Sequence, residues 1–135
     1  MKYLFDASAL VNLVKKAYLK PLLEGATLDL ALYECLNAIL KENILIKKLD
    51  DRLANKYVEI LTKVFGLIEV LSIKEYEVDV YETAKKLGLT IYDASYVVTA
   101  YKNRMTLVTD DQRLRRKTRD IIETLSTEDL IEMSR

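Results

Sequence analysis

Two short apolar stretches of the sequence end in carboxylates. Residues 3–5 run into Asp6, and the stretch TLVTDDQRL, residues 106–114, contains the adjacent pair Asp110 and Asp111. Short apolar runs bounded by polar residues are typical of buried strands. Ligands of open parallel sheets bind outside the carboxyl ends of the strands. These acids are therefore expected to face one crevice, provided that their two strands lie close together in the sheet.

Asp93 is a third acid that is a candidate for a chemical role, because its helical neighbours are apolar. At 100° per residue it shares a face with Tyr96, Val97 and Ala100. A carboxylate on an apolar face needs backbone donors or a cation, since an uncompensated buried charge costs several kcal/mol. The sequence therefore indicates either a helix cap or a cation site at this position.

Glu34 is the fourth acid, and its own pattern indicates a solvated surface. It shares a helical face with Asn37, Ala38 and Lys41. That face lies away from the apolar positions expected to pack on the core, which are Leu32, Leu36 and Ile39. Taken alone, Glu34 is therefore expected on a solvated surface of its helix.

Helix capping is the alternative explanation for three of these acids. Asp6, Asp93 and Asp111 all stand where helices are expected to begin, and the run from Thr90 to Asp93 resembles a capping box. Capping does not explain why two strand-end acids and an acid on an apolar helical face occur together with small polar side chains. Those polar companions are Ser8, Asn37 and Thr109.

The composition restricts both the fold and the chemistry. With 135 residues, half of them hydrophobic, the chain suits a single domain, residues 1–135. Its 21 basic and 21 acidic residues leave nucleic-acid binding to a local patch. The absence of histidine excludes Ser-His, Cys-His and histidine-zinc chemistry. The single Cys35 is expected to be a buried thiol. The sequence predicts no disulfide, signal peptide or membrane span, so a cytoplasmic location is expected.

Strand and helix signals alternate along the chain. Strands are expected near residues 2–5, 26–29, 67–73, 106–110 and 120–126, the second of which can also be a turn. Helices are expected at about 8–16, 31–45, 49–65, 76–88, 89–104 and 111–119, followed by a short C-terminal helix. Gly66 and Gly88 are expected to end two of them. The alternation predicts an α/β fold, with a parallel sheet covered by helices on both faces.

Several carboxylates in one crevice repel one another unless a multivalent cation is bound. Oxygen ligands without His or Cys suit Mg²⁺ or Mn²⁺. Such an ion polarises a phosphodiester, orients or activates an attacking water, and stabilises the leaving oxygen. The predicted chemistry is that of a nuclease that uses no protein nucleophile.

Four motifs carry a family resemblance: LFDASALVNL, YECLNAIL, GLTIYDASYVVTA and LVTDDQRL. With them the sequence resembles the PIN-domain family and, within it, the VapC-type toxin ribonucleases of toxin–antitoxin pairs. The motifs occur in the family's order and together span nearly the whole chain. The resemblance implies a three-layer α/β/α fold with a central, mostly parallel sheet of five strands. It also implies Mg²⁺- or Mn²⁺-dependent endonucleolytic cleavage of RNA, a homodimer, and inhibition by a VapB-type antitoxin.

The resemblance further implies roles for individual residues. The catalytic and metal-binding acids would be Asp6, Glu34, Asp93 and Asp111. The family's last motif reads T-x-D, so Thr109 and Asp111 match it and Asp110 takes the variable middle position. Asp110 is then an outer support or an incidental charge. The other supporting side chains would be Ser8, Asn12, Asn37 and Thr109.

The segment RLRRKTR, residues 113–119, places five cations just past Asp111. Such a cluster suits the phosphate backbone of RNA. The candidate contacts are Arg113, Arg115, Arg116 and Lys117. The alternative is an exposed helix whose last turn favours cations.

Three other functions stay open at this point. A PIN-type nuclease can act in ribosomal RNA maturation or RNA turnover rather than as a toxin. A non-catalytic binding module would use the acids only as helix caps. A phosphoaspartyl hydrolase with Asp6 as nucleophile is disfavoured, because such sites usually place a second Asp two residues on, where this chain has Ser8.

Overall fold

The computed structural model describes residues 2–134 and contains one five-stranded sheet. The strands are β1 (Tyr3–Phe5), β2 (Gly25–Leu28), β3 (Glu69–Leu71), β4 (Thr106–Val108) and β5 (Thr124–Leu125). They lie in the order β3-β2-β1-β4-β5, and every neighbouring pair is parallel. The predicted fold, an α/β/α arrangement around a parallel five-stranded sheet, is confirmed.

Helices connect each strand to the next, as parallel strands require. The α-helices are α1 (Ala7–Lys15), α2 (Leu30–Leu40), α3 (Asp51–Leu67), α4 (Glu77–Leu87), α5 (Ile91–Asn103), α6 (Gln112–Thr118) and α7 (Thr127–Met133). A 3₁₀-helix spans Lys20–Glu24, and a π-helical turn at Lys41–Leu45 continues α2. Among residues 2–134, the helices are too short or too polar for any of them to cross a bilayer.

Two glycines that were expected to end helices behave differently. Gly88 adopts the left-handed conformation, with φ of 65°, and ends α4 as predicted. The prediction for Gly66 was wrong, because α3 continues to Leu67 and is capped by Ile68. Glycine costs a helix only about 1 kcal/mol relative to alanine, and α3 is anchored on the core by other side chains. The buried residues of α3 are Ala54, Leu61 and Val64.

The outer strands are shorter than the sequence predicts. Residues 67–68 complete the end of α3, and residues 119–122 form turns and a bend before β5. The central strands are the most buried part of the sheet, and Leu4, Phe5 and Leu107 are fully enclosed. The two strands that end in the candidate acids, β1 and β4, therefore lie in the buried middle of the sheet.

Candidate active site

The carboxyl ends of β1 and β4 lie side by side. Phe5 pairs with Val108, and the backbone N–H of Asp6 donates to the Val108 carbonyl over 3.1 Å. The residues that follow the two strands, Asp6 and Thr109, are therefore neighbours. This arrangement meets the condition under which the strand-end acids share one crevice.

Asp6 is both a helix cap and a cavity acid. Its Oδ1 accepts hydrogen bonds from the backbone N–H of Ala9 at 2.9 Å and from the hydroxyl of Ser8 at 2.7 Å. The carboxylate is buried, and it lines a cavity of about 170 Å³. The other residues of this acid-lined cavity are Ala7, Ser8, Glu34, Asp93, Tyr96 and Asp111. The four candidate acids thus surround one cavity.

Glu34 reaches this cavity from α2, although its sequence pattern indicates a solvated surface. The Tyr96 hydroxyl donates to Glu34 Oε1 over 2.8 Å, and the carboxylate is half-buried. The expectation that Leu36 packs on the core was wrong, because Leu36 is exposed. The buried residues of α2 are instead Ala31, Cys35 and Ile39. The buried face of α2 packs against α1 and α3. Glu34 lies at the edge of this buried face and not on the opposite side of the helix.

Asp93 and Asp111 begin helices and also line the cavity. The backbone N–H of Asp93 donates to Thr90 Oγ1 over 3.1 Å, so Thr90 caps α5. Asp111 caps α6 by accepting from the backbone N–H of Leu114 over 3.1 Å. The apolar companions expected beside Asp93 are all buried: Tyr96, Val97 and Ala100. Capping and cavity lining therefore coexist at Asp111, whereas at Asp93 the cap is the Thr90 side chain and the carboxylate lines the cavity.

Burial makes three of the cavity acids, Asp6, Glu34 and Asp93, difficult to ionise. Desolvation raises the pKa of Asp6 to about 6, although hydrogen bonds lower it, and the charge of Asp110 adds to the increase. Desolvation also raises the pKa of Glu34, with a contribution from Asp93. The pKa of Asp93 is raised first by desolvation and then by the charge of Asp111. A bound cation would favour the ionised form of all of these groups.

The donor set suits a hard divalent cation. It consists of carboxylate oxygens, which are the ligands of Mg²⁺ and Mn²⁺. Among residues 2–134, no three Asp, Glu or Cys side chains already converge into a complete metal-binding group. Mg²⁺ commonly binds through one or two carboxylates and several waters, so a preformed cage is not required. The chemistry of the four acids therefore fits such an ion.

Asp110 points its carboxylate into a different set of contacts. Asn12 Nδ2 donates to Asp110 Oδ2 at 2.5 Å, while the backbone N–H and the hydroxyl of Thr127 donate to its two oxygens at 2.8 and 2.7 Å. Its backbone N–H donates to Ser8 Oγ over 3.0 Å. Asp110 thus connects α1 to the start of α7 by hydrogen bonds, and Asn12 is the residue of α1 that donates to it.

The other supporting candidates differ in their positions. Thr109 is fully buried, its Oγ1 accepts from the backbone N–H of Asp111 over 3.1 Å, and it lies 3.5 Å from Ser8 Oγ. Ser8 and Thr109 thus link the two strand ends behind the acids. Asn37 is exposed and lies outside the residues that line the cavity. Burial raises the pKa of the Cys35 thiol to about 12, which agrees with an inert buried thiol.

The cations after Asp111 do not share one environment. Arg113 and Lys117 are near enough to Asp93 to oppose the increase in its pKa that burial causes. Lys117 Nζ also donates to the carbonyl of Gly88 over 3.0 Å. Arg115 and Arg116 line a separate pocket.

The sequence model of the PIN domain family matches residues 3–120. The chain belongs to the PIN-domain family. This PIN domain is 34% identical over 125 residues to Exonuclease VapC9 of Pyrobaculum aerophilum, with 91% of this chain and 90% of that protein covered. It is also 34% identical over 125 residues to Ribonuclease VapC3 of the same organism, with 87% and 95% covered. The family resemblance drawn from the four motifs is confirmed.

Solved structures share the fold of this PIN domain. The crystal structure of PAE2754 from Pyrobaculum aerophilum superimposes with a TM-score of 0.78 at 33% identity, covering 98% of this chain and 96% of that one. The structure of DNA-bound VapBC from Salmonella typhimurium gives a TM-score of 0.64 at 13% identity, covering 94% and 98%. The second likeness shows the fold alone.

Two side chains near the site of this PIN domain have contacts that sequence reasoning did not foresee. Tyr96 was recognised as a neighbour of Asp93 on one helical face, but its hydrogen bond to Glu34 was not predicted. Thr127 lies in the last helix, and its bonds to Asp110 were not predicted either. The three-residue spacing of Asp93 and Tyr96 was the sequence signal that could have placed Tyr96 at the site. Only the packing of α7 reveals the second.

Proposed function

We propose that this PIN domain is a divalent-metal-dependent endoribonuclease and the toxin of a type II toxin–antitoxin pair. The observation that carries the proposal is the convergence of four acids from four separate parts of the chain on one cavity. The acids are Asp6 after β1, Glu34 on α2, Asp93 on α5 and Asp111 at the start of α6. Desolvation raises the pKa of Asp6, Glu34 and Asp93, and repulsion from another cavity acid adds to the increase at Glu34 and Asp93, so a dication is the ligand that this cavity favours.

The chain's own groups would hold and orient the reactants. Ser8 and the backbone N–H of Ala9 fix Asp6, and the Tyr96 hydroxyl fixes Glu34. The N-terminal turns of α5 and α6 place Asp93 and Asp111 at the cavity wall. When bound there, Mg²⁺ or Mn²⁺ would activate a water and neutralise charge on the phosphodiester.

The names of the relatives support a nuclease, and the details belong to the proposal. One relative is named an exonuclease and another a ribonuclease. We infer RNA as the substrate and an internal bond as the point of attack from the VapC-type resemblance. A VapB-type antitoxin is the proposed inhibitor, because structures of the same fold are VapBC complexes. A homodimer and a cytoplasmic location complete the proposal.

The experiment uses a circular single-stranded RNA, which has no end for an exonuclease to attack. Purified protein should linearise it with Mg²⁺ or Mn²⁺, and EDTA should stop the reaction. Asp93→Asn should abolish cleavage while circular dichroism and the thermal midpoint show a folded protein. Asp120→Asn, at an exposed position, is the matched control and should cut like the wild type.

Different results would remove different parts of the proposal. Undiminished cleavage by Asp93→Asn would remove the assigned mechanism. Cleavage of linear but not circular RNA would replace the endonuclease with an exonuclease. A divalent ion that stabilises the wild type no more than Asp93→Asn would argue against the metal site, since a ligand of the native state must raise its stability.

A further inference from the structure

The cations of α6 divide between two faces of the helix. At 100° per residue, Arg113 and Lys117 share the face that acts on Asp93. The other face carries residues at intervals of three and four positions, continuing to the residue that follows the helix. These residues are Gln112, Arg115, Arg116 and Arg119. The cluster that looks continuous in sequence is therefore two clusters in space.

The second cluster lines a pocket of its own. Gln112, the three arginines and Thr124 of β5 surround a space of about 320 Å³. The lining contains three guanidinium groups and no carboxylate. We call it the arginine pocket. The planar guanidinium fork matches the oxygens of a phosphate group, and Gln and Thr side chains can add neutral donors.

Arg115 is held in position at this pocket. Its Nη2 donates to Asp129 Oδ2 over 3.1 Å, and Asp129 also accepts from the backbone N–H of Ser126 over 3.1 Å. The Nε of Arg115 is buried without a hydrogen-bond partner among residues 2–134. Within the same described part of the chain, Arg116 and Arg119 are exposed and form no ion pair. One guanidinium is thus preorganised by an ion pair, and within residues 2–134 the other two have no carboxylate that compensates their charge.

We propose that the arginine pocket binds a backbone phosphate of the RNA strand whose scissile bond occupies the acid-lined cavity. This inference rests on the proposed nuclease function and adds a second anchoring point to it. Helix α6 begins at the cavity wall with Asp111 and carries the arginine pocket on another face. An α-helix with its side chains is about 10 Å across. A strand must therefore extend beyond the cavity to reach both places.

The charge distribution explains why such an anchor is needed. The chain has 21 basic and 21 acidic residues, so no overall field attracts RNA. The cavity itself is lined by four carboxylates, which repel a polyanion until a cation is bound. Contacts between arginine and phosphate supply affinity without reading the base sequence. The arginine pocket gives the substrate strand this affinity outside the acid-lined cavity.

The test measures RNA binding in EDTA, where no cleavage occurs, by the anisotropy of a labelled single strand of about 12 nucleotides. Arg116→Gln combined with Arg119→Gln should weaken binding by roughly 5-fold to 25-fold at about 0.1 M salt, for one or two lost phosphate contacts. The slope of log affinity against log salt should fall by about 0.7 for each lost contact.

Two comparison variants separate charge from folding. Lys56→Gln combined with Lys63→Gln removes two exposed charges from α3, which packs on α1 and α2, and should leave RNA binding unchanged. Arg116→Lys combined with Arg119→Lys keeps both charges and should retain the salt slope, although it loses the guanidinium fork.

Specific results overturn the inference without touching the nuclease assignment. Equal affinity and equal salt slope for the wild type and the double glutamine variant would refute the arginine pocket, even if the wild type cleaves RNA. Loss of the slope in the double lysine variant would also refute it. Inorganic phosphate is the other source of the same chemistry. Calorimetric binding of phosphate that depends on these arginines, with RNA affinity unaffected by their loss, would exclude the RNA strand as the occupant.

Discussion

Asp110 and Asp111 are adjacent in the sequence, yet their carboxylates belong to two different regions of the molecule. The Asp110 carboxylate accepts hydrogen bonds from Asn12 and twice from Thr127, which joins α1 to α7. The Asp111 carboxylate accepts one backbone hydrogen bond, from Leu114, and lines the acid-lined cavity. One acid is enclosed by donors of the fold, and the other keeps acceptor capacity for a ligand.

The difference teaches how to recognise a functional acid in this fold. A carboxylate surrounded by protein donors stabilises the native structure. Burial raises the pKa of Asp6, Glu34 and Asp93, and a cation from outside would favour their ionised forms. Adjacent residues of the same type can therefore have opposite roles.

Asp111→Asn is expected to have the largest effect, and it acts on activity alone. Asparagine caps helices about as well as aspartate, so stability without metal should change by less than about 1 kcal/mol. Loss of one cavity carboxylate should lower kcat/KM on RNA by about 100-fold or more, since metal-assisted charge stabilisation is worth several kcal/mol. Kinetics with Mn²⁺ and thermal unfolding in EDTA measure the two effects. A variant that unfolds easily but cuts normally would reverse the assignment.

Asp110→Ala should show the opposite pattern. It leaves the donors of Asn12 and Thr127 without their acceptor, and a hydrogen bond to a charged group contributes about 1.5–3 kcal/mol net. These contacts are only partly buried, so water can replace a share of them in the variant. We expect a loss of about 2–4 kcal/mol in the free energy of unfolding, measured with urea in EDTA. Asp120→Ala, at an exposed position, should stay within about 0.5 kcal/mol. Equal stability of the two variants would mean that the tie between α1 and α7 is not structural.

The fold could be predicted because its signals are local. Apolar runs that end in polar residues predicted β1 and β4, and Gly88 marked the end of α4. Alternation of strands and helices then left a parallel sheet as the consistent arrangement. The end of α3 was not predictable from Gly66, since contacts of the buried helix face outweigh the cost of one glycine.

The candidate site could be predicted only in part. Asp6 and Asp111 follow strands and Asp93 shares a face with apolar residues, so each had a local signal. Glu34 had none, because the direction of α2 is set by its packing on α1 and α3. Its candidacy came from the family resemblance. The separation of Asp110 from Asp111 likewise depends on Thr127, which is distant in sequence and adjacent only after folding.

A change of pH should alter stability and metal affinity at the acid-lined cavity, with a smaller effect than the two substitutions above. The pKa of Asp6 is raised from 3.8 to about 6, so the folded state holds a proton that the unfolded state has already lost in this window. Metal-free stability should therefore decline as pH rises from about 4 to about 6. Metal binding requires the ionised acid, so Mn²⁺ affinity should fall up to about tenfold per pH unit below about 6. Calorimetric titration at several pH values tests this, and a pH-independent affinity would contradict it.

Tyr96→Phe should give the smallest change, and it probes how the cavity acids are positioned. Tyr96 is buried, and its hydroxyl donates to Glu34 Oε1 over 2.8 Å. Since this bond lowers the pKa of Glu34 against the effect of burial, its removal should raise that pKa further. We expect a loss of about 1 kcal/mol, or about 5-fold in Mn²⁺ affinity, because water can partly replace the hydroxyl at the half-buried acid.

Tyr92→Phe is the matched control for this substitution, since Tyr92 is exposed on the same helix. It should bind Mn²⁺ like the wild type at about pH 7. If the Tyr96 hydroxyl only packs the core, Tyr96→Phe will lose stability and keep both its Mn²⁺ affinity and the pH at which that affinity declines. If it positions Glu34, the affinity will fall and its pH dependence will move to higher pH. The second result would extend the acid site to a residue that lacks a carboxylate, because the hydroxyl governs how readily Glu34 ionises.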